Sequence, residues 1–467
     1  MLKLYNSLTR KTEEFSAIGG SASGGKPTVV GLYTCGPTVY NYAHIGNLRT
    51  YVFEDVLRRT LLYNGYQVKH IMNITDVGHL SGDQDFGDDK MEKEGGDAKE
   101  ILDLAKKYTE AFLADIKTLN ILQADELAPA TEYIPDQIKL IEKLFEKGFA
   151  YETELAIYFD VSKLTDYPKL TNQKLADMKV GARSDVVIDK NKKHPADFAL
   201  WFKLAGKYKN HILQWDSPWG KGFPGWHIEC SAISTKFLGQ PFDIHTGGVD
   251  HLFPHHPNEI AQSEAANDKP LSNYWLHGEH LLVSEGRMGK SEGNFITLQT
   301  VVDKGFNPLA FRYLILTTHY RSKLNFSWSA VEAAQSGLER LRQTIRDLGE
   351  ADPKIGCAEF EEHFHQAIND DLDTPKALAV MWEMLGSDLP ASAKLRSLLT
   401  FDRVLGLKLD ELKPVQVPGE VMKLVKDRES ARQTKDWVKA DELRKQIEKA
   451  GFEVEDKKDG PKVQIKL

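Results

Sequence analysis

The feature that most constrains the fold lies near the N-terminus, where a strand pattern, a helix pattern and a second strand pattern follow one another. Residues 27–33 (PTVVGLY) form a short run rich in β-branched side chains, which is typical of a buried strand. Residues 45–64 carry apolar side chains at helical spacing, and Gly65 suits the end of such a helix. Residues 66–75 alternate as a second strand. This order predicts a βαβ unit of a parallel sheet, with ligands bound beyond the carboxyl ends of its strands.

The rest of the chain is long enough for more than one domain, at 467 residues. A mixed region over residues 77–225 interrupts the α/β pattern and is expected to be an insertion. The pattern resumes with a strand ending near residue 245, a turn at Gly247 and Gly248, and a helix through Glu259. Helical patterns dominate from residue 329 to about 405.

The C-terminal part begins with a proline-bearing connector, residues 413–418. A helix is expected from residue 420 through 449, followed by short strand-like pieces. We therefore predict an α/β protein with three parts. These are a Rossmann-like parallel-sheet domain over 1–320, a helical bundle over 321–412 and a small C-terminal domain over 413–467.

Composition narrows the class of protein. The formal net charge is −8, which argues against a generally basic nucleic-acid coat but leaves room for a local basic surface. The chain has three cysteines, Cys35, Cys230 and Cys357. A small and odd number of cysteines in a chain of this length does not suggest a disulfide framework. The first 15 residues lack an apolar signal core, and no apolar run is long enough to span a bilayer. We expect a soluble, cytoplasmic protein without a membrane partner.

Two segments suggest phosphate binding. In the run YTCGPTVYNYAHIGNLR, His44 lies just before the predicted helix, where backbone N–H groups and the helix dipole favour an anion, and Gly46 allows a ligand to approach closely. In GRMGKSEGN, Lys290 can reach triphosphate oxygens from a loop of small residues. Taken alone, the first also fits an ordinary helix cap and the second a basic surface turn.

A third group of residues has the chemistry of zinc ligands. Cys230 lies in GWHIECS, His255 and Glu259 lie four residues apart in FPHHPNEIAQ, and Cys35 supplies a fourth donor. A helical turn places His255 and Glu259 on one side, and His256, three residues before Glu259, is a rival ligand. The spacing also fits buried, unreactive cysteines beside a capping histidine.

Together and in this order, the motifs resemble those of class I aminoacyl-tRNA synthetases of the cysteine-specific family. The run around His44 is similar to the "HIGH" signature in the form that starts Cys-Gly-Pro-Thr-Val-Tyr, and RMGKS is similar to the "KMSKS" loop. WHIECS and FPHHPNEIAQ resemble the family's zinc-binding segments. The resemblance runs from about Tyr5 to the C-terminus and includes KDWVKADELRKQIEKAGFEVED.

The resemblance implies a cysteine–tRNA ligase that activates L-cysteine with ATP and transfers it to tRNA(Cys). It implies one Zn²⁺ per chain, Mg²⁺ with ATP, a KMSKS-like region over 270–320 and an anticodon-binding domain over 413–467. The implied zinc ligands are Cys35, Cys230, His255 and Glu259. The implied catalytic and ATP-binding residues are His44, Lys290, Gly46, Asn47, Gly248 and Asp250. The implied cysteine pocket contains Thr75, Trp226 and His245. A monomer is expected.

Two departures from the family pattern concern the nucleotide motifs. The first signature reads HIGN, so Asn47 stands where the family has histidine, and its amide is expected to donate a hydrogen bond to phosphate or to a backbone group. The loop reads RMGKS, so Arg287 and Gly289 replace lysine and serine, while Lys290 is intact.

Three alternatives to this function and mechanism remain at this level. One is a ligase that joins cysteine to an amino sugar, which would not need the C-terminal domain. Another is a degenerate RNA-binding paralogue. The third concerns the metal alone, because zinc with four protein ligands is often purely structural.

Overall fold

The N-terminal βαβ unit is present as the sequence predicts. The computed structural model describes residues 1–20, 28–78, 80, 88–92, 96–171, 189–283, 295–349, 355–412, 417–457 and 460–465. A hairpin of β1 (Lys3–Asn6) and β2 (Lys11–Glu14) comes first. The unit itself comprises β3 (Val29–Thr34), α1 (Ile45–Tyr63) and β4 (Gln67–Ile74). Strands β3 and β4 pair in parallel, which confirms the predicted unit.

The region expected as an insertion contains two different structures. Its first part forms α2 (Ala98–Thr118), β5 (Glu126–Pro129) and α3 (Ile134–Glu146). Its second part is an antiparallel sheet of β6 (Ala150–Glu152), β7 (Ala156–Phe159), β8 (Phe198–Lys203) and β9 (Gly222–Pro224). Strand β5 pairs in parallel with β4. Only the later part of residues 77–225 therefore forms a separate sheet. The earlier part adds β5 to the parallel sheet.

The second half of the parallel sheet comprises α4 (Trp226–Leu238), β10 (Phe242–Gly248), α5 (His255–Asn267) and β11 (Ser272–Gly278). The strand order is β11-β10-β3-β4-β5, and every pairing is parallel. The order reverses between β3 and β10, and the carboxyl ends of strands at such a point form a ligand crevice. The turn predicted at Gly247 and Gly248 is wrong, because both residues pair with β11 as the end of β10.

A helical region packs on the sheet domain. It is preceded by β12 (Leu281–Val283), α6 (Leu298–Asp303), α7 (Pro308–Leu316) and β13 (Leu324–Phe326), with β12 and β13 paired in parallel. The helices are α8 (Trp328–Leu348), α9 (Ala358–Asn369), α10 (Thr374–Gly386) and α11 (Ala391–Leu405). One continuous apolar cluster joins α1 and α7 to these helices, with Val52, Leu314, Leu338, Phe364 and Phe401 among its members.

Buried charges reinforce this junction. The carboxylate of Asp55 on α1 accepts hydrogen bonds from Arg59 at 2.8 Å and from Arg312 on α7 at 2.6 Å. Arg312 also donates to the carbonyl oxygens of Leu119 and Leu405, so it ties α1 to the ends of α2 and α11. Burial alone would raise the pKa of Asp55, but the two guanidinium groups hold it below its usual range.

The C-terminal part forms α12 (Gly419–Gln433), α13 (Trp437–Lys449), β14 (Phe452–Lys457) and β15 (Gly460–Ile465). The single helix predicted over residues 420–449 is wrong. Lys435 adopts a positive φ of 60°, and the Asp436 carboxylate accepts from the backbone N–H of Lys439 to start a second helix. This part has its own apolar cluster of Val421, Val425, Ile447 and Val454. Among the helices of the described ranges, none is long and apolar enough to cross a membrane.

Candidate active site and metal centre

Four side chains that could ligate a metal ion meet at the crevice between β3 and β10. One directly follows β3, one lies on α4, and two lie one turn apart on α5. They are Cys35, Cys230, His255 and Glu259, all buried, with one donor atom from each within 4.8 Å of all the others. Two thiols, an imidazole and a carboxylate at this separation fit a four-coordinate zinc ion.

A second set of donors overlaps the first. Cys35, His245, His256 and Glu259 also bring their donor atoms within 4.8 Å of one another. The Cys35 Sγ lies 3.3 Å from His256 Nε2, and His245 Nε2 lies 2.9 Å from Glu259 Oε2. His256 is thus brought to the site, as its position three residues before Glu259 suggests. His245, expected in the cysteine pocket, contacts the candidate metal ligand Glu259.

The candidate ligands hold closely spaced charges. Burial would raise the pKa of Glu259, but His245 and His255 outweigh it and lower that pKa to about 2. Burial would lower the pKa of His255, but Glu259 and Cys230 raise it to about 9. Burial raises the pKa of the Cys35 thiol well above its usual range. A divalent cation that binds here would displace the protons of the Cys35 thiol and of the His255 imidazole.

The start of α1, where the sequence suggests phosphate binding, is closed by a reciprocal pair of hydrogen bonds between His44 and Asn47. The backbone N–H of Asn47 donates to His44 Nδ1 at 3.1 Å, and the backbone N–H of His44 donates to Asn47 Oδ1 at 3.1 Å. Because Nδ1 accepts, a neutral His44 carries its proton on Nε2 and can donate from there. Burial lowers the pKa of His44, which favours this neutral form at pH 7. Asn47 therefore accepts a backbone hydrogen bond through Oδ1, and the expectation that its amide donates one to phosphate or to a backbone group stays a prediction.

The remaining nucleotide residues are only partly described. Lys290, with Arg287 and Gly289, lies outside the described residues. The chain that follows this segment reaches the start of α1, where the ring of Phe295 packs 5.7 Å from the ring of His44. Gly248 ends β10, and Asp250 is exposed in the short helical turn that follows.

Two residues predicted to lie in the cysteine pocket, Trp226 and Thr75, contact a candidate ligand or the residue next to one. Trp226 begins α4 and places its ring 4.2 Å from the ring of His255. The hydroxyl of Thr75 donates to Glu229 Oε2 at 2.9 Å. Sequence reasoning missed Glu229, which burial and the neighbouring Cys230 give a strongly raised pKa. Its one signal in the sequence is its position directly before the candidate ligand Cys230 in WHIECS.

Two parts of the chain match known protein families. Residues 22–336 match the family described as "tRNA synthetases class I (C) catalytic domain", and residues 415–463 match "Cysteinyl-tRNA ligase anticodon binding domain". The chain is similar in fold to a methionyl-tRNA synthetase of Mycobacterium tuberculosis bound to methionyl-adenylate. That likeness has a TM-score of 0.55 at 14% identity and covers 81% of this chain and 90% of the other.

Sequence relatives narrow the class further. The chain is 46% identical to cysteine–tRNA ligase 1 of Burkholderia lata, over 99% of this chain and 96% of the relative. It is 43% identical to cysteine–tRNA ligase of Treponema denticola, over 97% of this chain and 98% of the relative.

The fold and the catalytic-domain match define a class I aminoacyl-tRNA synthetase, an enzyme whose substrates are tRNA, ATP and an amino acid. Within that class, the chain belongs to the cysteine–tRNA ligase family. The anticodon-binding match removes the ground for an amino sugar as acceptor, and the full-length relatives argue against a degenerate paralogue.

Proposed function

We propose that this cysteine–tRNA ligase selects its amino acid through zinc held by Cys35, Cys230, His255 and Glu259. The observation that carries the proposal is that donor atoms of these four buried side chains lie within 4.8 Å of one another. Zinc at this position would bind the thiolate of the substrate, which a serine hydroxyl matches poorly. A simple apolar pocket separates near-isosteres by only about 1–3 kcal/mol, so a metal supplies the missing discrimination.

Of the two overlapping donor sets, we favour the one with two thiols. Sulfur donors are the common ligands of zinc in proteins, and this set contains Cys230 as well as Cys35. In this assignment His245 contacts Glu259 at 2.9 Å and orients that carboxylate from outside the ligand set. His256 is likewise an outer partner, placed 3.3 Å from the Cys35 sulfur.

ATP is proposed to bind across the start of α1, with Mg²⁺ on its phosphates. His44 Nε2 and the positive end of the helix dipole are proposed to stabilise the negative charge that develops on the phosphates. Lys290 is proposed to add a positive charge from the KMSKS-like region, residues 270–320. The other proposed ATP-binding residues are Gly46, Asn47, Gly248 and Asp250, the last two with the ribose.

The first reaction is then attack of the cysteine carboxylate on the α-phosphate, which releases pyrophosphate and leaves cysteinyl-adenylate. In the second reaction, a terminal ribose hydroxyl of tRNA(Cys) attacks the adenylate carbonyl and releases AMP. The chain contributes mainly by positioning the reactants and by stabilising phosphate charge. Thr75 and Trp226 are proposed to contact the amino acid, and Trp226 covers His255 at a ring distance of 4.2 Å.

The C-terminal part, residues 413–467, is proposed to bind the anticodon of tRNA(Cys). Trp437 is 56% exposed, and the side chains of Lys435 and Arg444 are exposed in the same part, which suits base stacking and phosphate contact. The division into residues 1–320, 321–412 and 413–467 stays part of this proposal. The monomeric state and the cytoplasmic location also stay predictions.

Cobalt substitution tests whether the metal contacts the substrate. We expect the visible spectrum of the cobalt-substituted enzyme to change on addition of L-cysteine and to stay unchanged with L-serine. We also expect cysteine-dependent exchange of pyrophosphate into ATP. A spectrum indifferent to cysteine would favour a purely structural metal, and absence of exchange would count against the proposed activity itself.

A further inference from the structure

A buried arginine on α1 holds two separate stretches of backbone. Arg49 is 3% exposed, and its guanidinium group donates hydrogen bonds to the carbonyl oxygens of His280 and Ser322. Burial lowers the pKa of Arg49 to about 10, so the group is charged at pH 7. None of the ion pairs that the structure describes includes Arg49. A buried charge that contacts only neutral carbonyls is costly, which favours a role in geometry over a role in stability.

The two carbonyls belong to a pair of neighbouring strands. His280 lies directly before β12, and Ser322 lies shortly before β13. The backbone N–H of Leu324 donates to the same carbonyl of His280 at 3.2 Å, and β12 pairs with β13 in parallel. Arg49, on the second turn of α1, therefore attaches the start of this strand pair to the helix. A planar guanidinium can donate to two acceptors in a fixed geometry, which a lysine ammonium cannot reproduce.

The chain that follows Lys290 is also attached to α1. The backbone N–H of Ile45 donates to the carbonyl oxygen of Ile296 at 2.9 Å, and His44 forms an antiparallel bridge with Thr297. Strand β12 precedes Lys290 in the chain, and Ile296 follows it. The first two turns of α1 therefore hold described parts of the chain both before and after Lys290.

We propose that Arg49 is a positioning residue for adenylate formation. By holding β12 and β13 against α1, it fixes where the chain that leads to Lys290 begins relative to His44. Both of these side chains are proposed to act on the phosphates of ATP, and a displacement of about 1 Å between reacting groups can cost about a hundredfold in rate. This inference rests on the proposed function and adds a residue that acts through two others.

The first test separates rate from binding. In Arg49→Lys we expect the kcat of cysteine-dependent pyrophosphate exchange to fall about ten- to a hundredfold, because lysine keeps the charge but loses the contact with two carbonyls. The KM for L-cysteine and the bound metal per chain should stay at their wild-type values. Arg49→Gln should show the same loss of kcat. Because it leaves no charge in the interior, it keeps the test independent of how Arg49→Lys folds.

Arg58 provides a matched control. It lies on the same helix, is 9% exposed, and also donates to two backbone carbonyls, those of Leu122 and Gln123. These carbonyls precede β5, and Arg58 also pairs with Asp125. Arg58→Lys should therefore leave the kcat of exchange unchanged.

A double-mutant cycle tests the route through Lys290. If Arg49 acts by positioning the chain that carries Lys290, Arg49→Lys should cause little further loss of kcat in a Lys290→Ala enzyme, because the group to be positioned is gone. Losses that multiply in the double variant would overturn the assignment, as would an unchanged kcat in Lys290→Ala itself.

Three other results would also overturn it: an unchanged kcat in both Arg49 variants, a loss confined to the KM for cysteine, or an equal loss in Arg58→Lys. Failure of the proposed function itself would look different. The wild-type enzyme would then show no cysteine-dependent exchange at all.

Discussion

The buried charge cluster at the junction of the sheet domain and the helical region predicts a large loss of stability in Asp55→Ala. This change removes the carboxylate that pairs directly with both Arg59 and Arg312, which are 9% and 0% exposed. Breaking a buried pair by removing one partner costs about 3–5 kcal/mol, because a charge stays buried without compensation. Urea unfolding followed by tryptophan fluorescence measures this loss as a decrease in the free energy of unfolding.

A double-mutant cycle checks the reasoning behind that magnitude. Asp55→Ala/Arg312→Met removes both members of the buried Asp55–Arg312 pair. The double variant should therefore lose clearly less unfolding free energy than the sum of the two single losses. The pH dependence has a defined sign. The folded pKa of Asp55 lies below its usual value, so its contribution is complete above about pH 4 and falls as the pH drops further. A loss below about 1 kcal/mol, or strict additivity, would refute the account.

Two further predictions concern the metal cluster. His255→Ala should abolish metal binding. His256→Ala should weaken the metal affinity by about ten- to a hundredfold, as expected for a partner outside the ligand set. Metal content after dialysis measures both effects, and a larger loss in His256→Ala than in His255→Ala would favour the other donor set. Gly36→Ala should disrupt the site, since its Cβ would lie 1.6 Å from the carbonyl oxygen of Asn73. Gly386→Ala, where nothing lies within 4 Å, is the control, and equal circular dichroism and metal content in both variants would contradict the prediction.

Much of the fold can be predicted because its signals are local. The βαβ unit follows from β-branched runs on either side of a helical pattern, and β3, α1 and β4 lie within a few residues of the predicted limits. The break between α12 and α13 carries a weaker signal. It depends on a positive φ at Lys435 and a cap by Asp436, and neither residue type demands a break.

In the site too, some residues could be predicted from the sequence and others could not. The four candidate ligands could be named, because thiol, imidazole and carboxylate groups are few and chemically distinctive. Their partners could not, because these depend on contacts across elements far apart in sequence. His245 meets Glu259 only because α5 packs at the end of β10, and Glu229 meets Thr75 only because α4 lies beside the end of β4.

The most direct test of the central claim is metal content measured together with amino acid selection. We predict one zinc ion per chain in the wild-type enzyme, with pyrophosphate exchange that strongly prefers cysteine over serine. In Cys230→Ser the zinc should be lost and cysteine activation weakened. Full activation and undiminished preference for cysteine in a zinc-free Cys230→Ser enzyme would contradict selection by the metal.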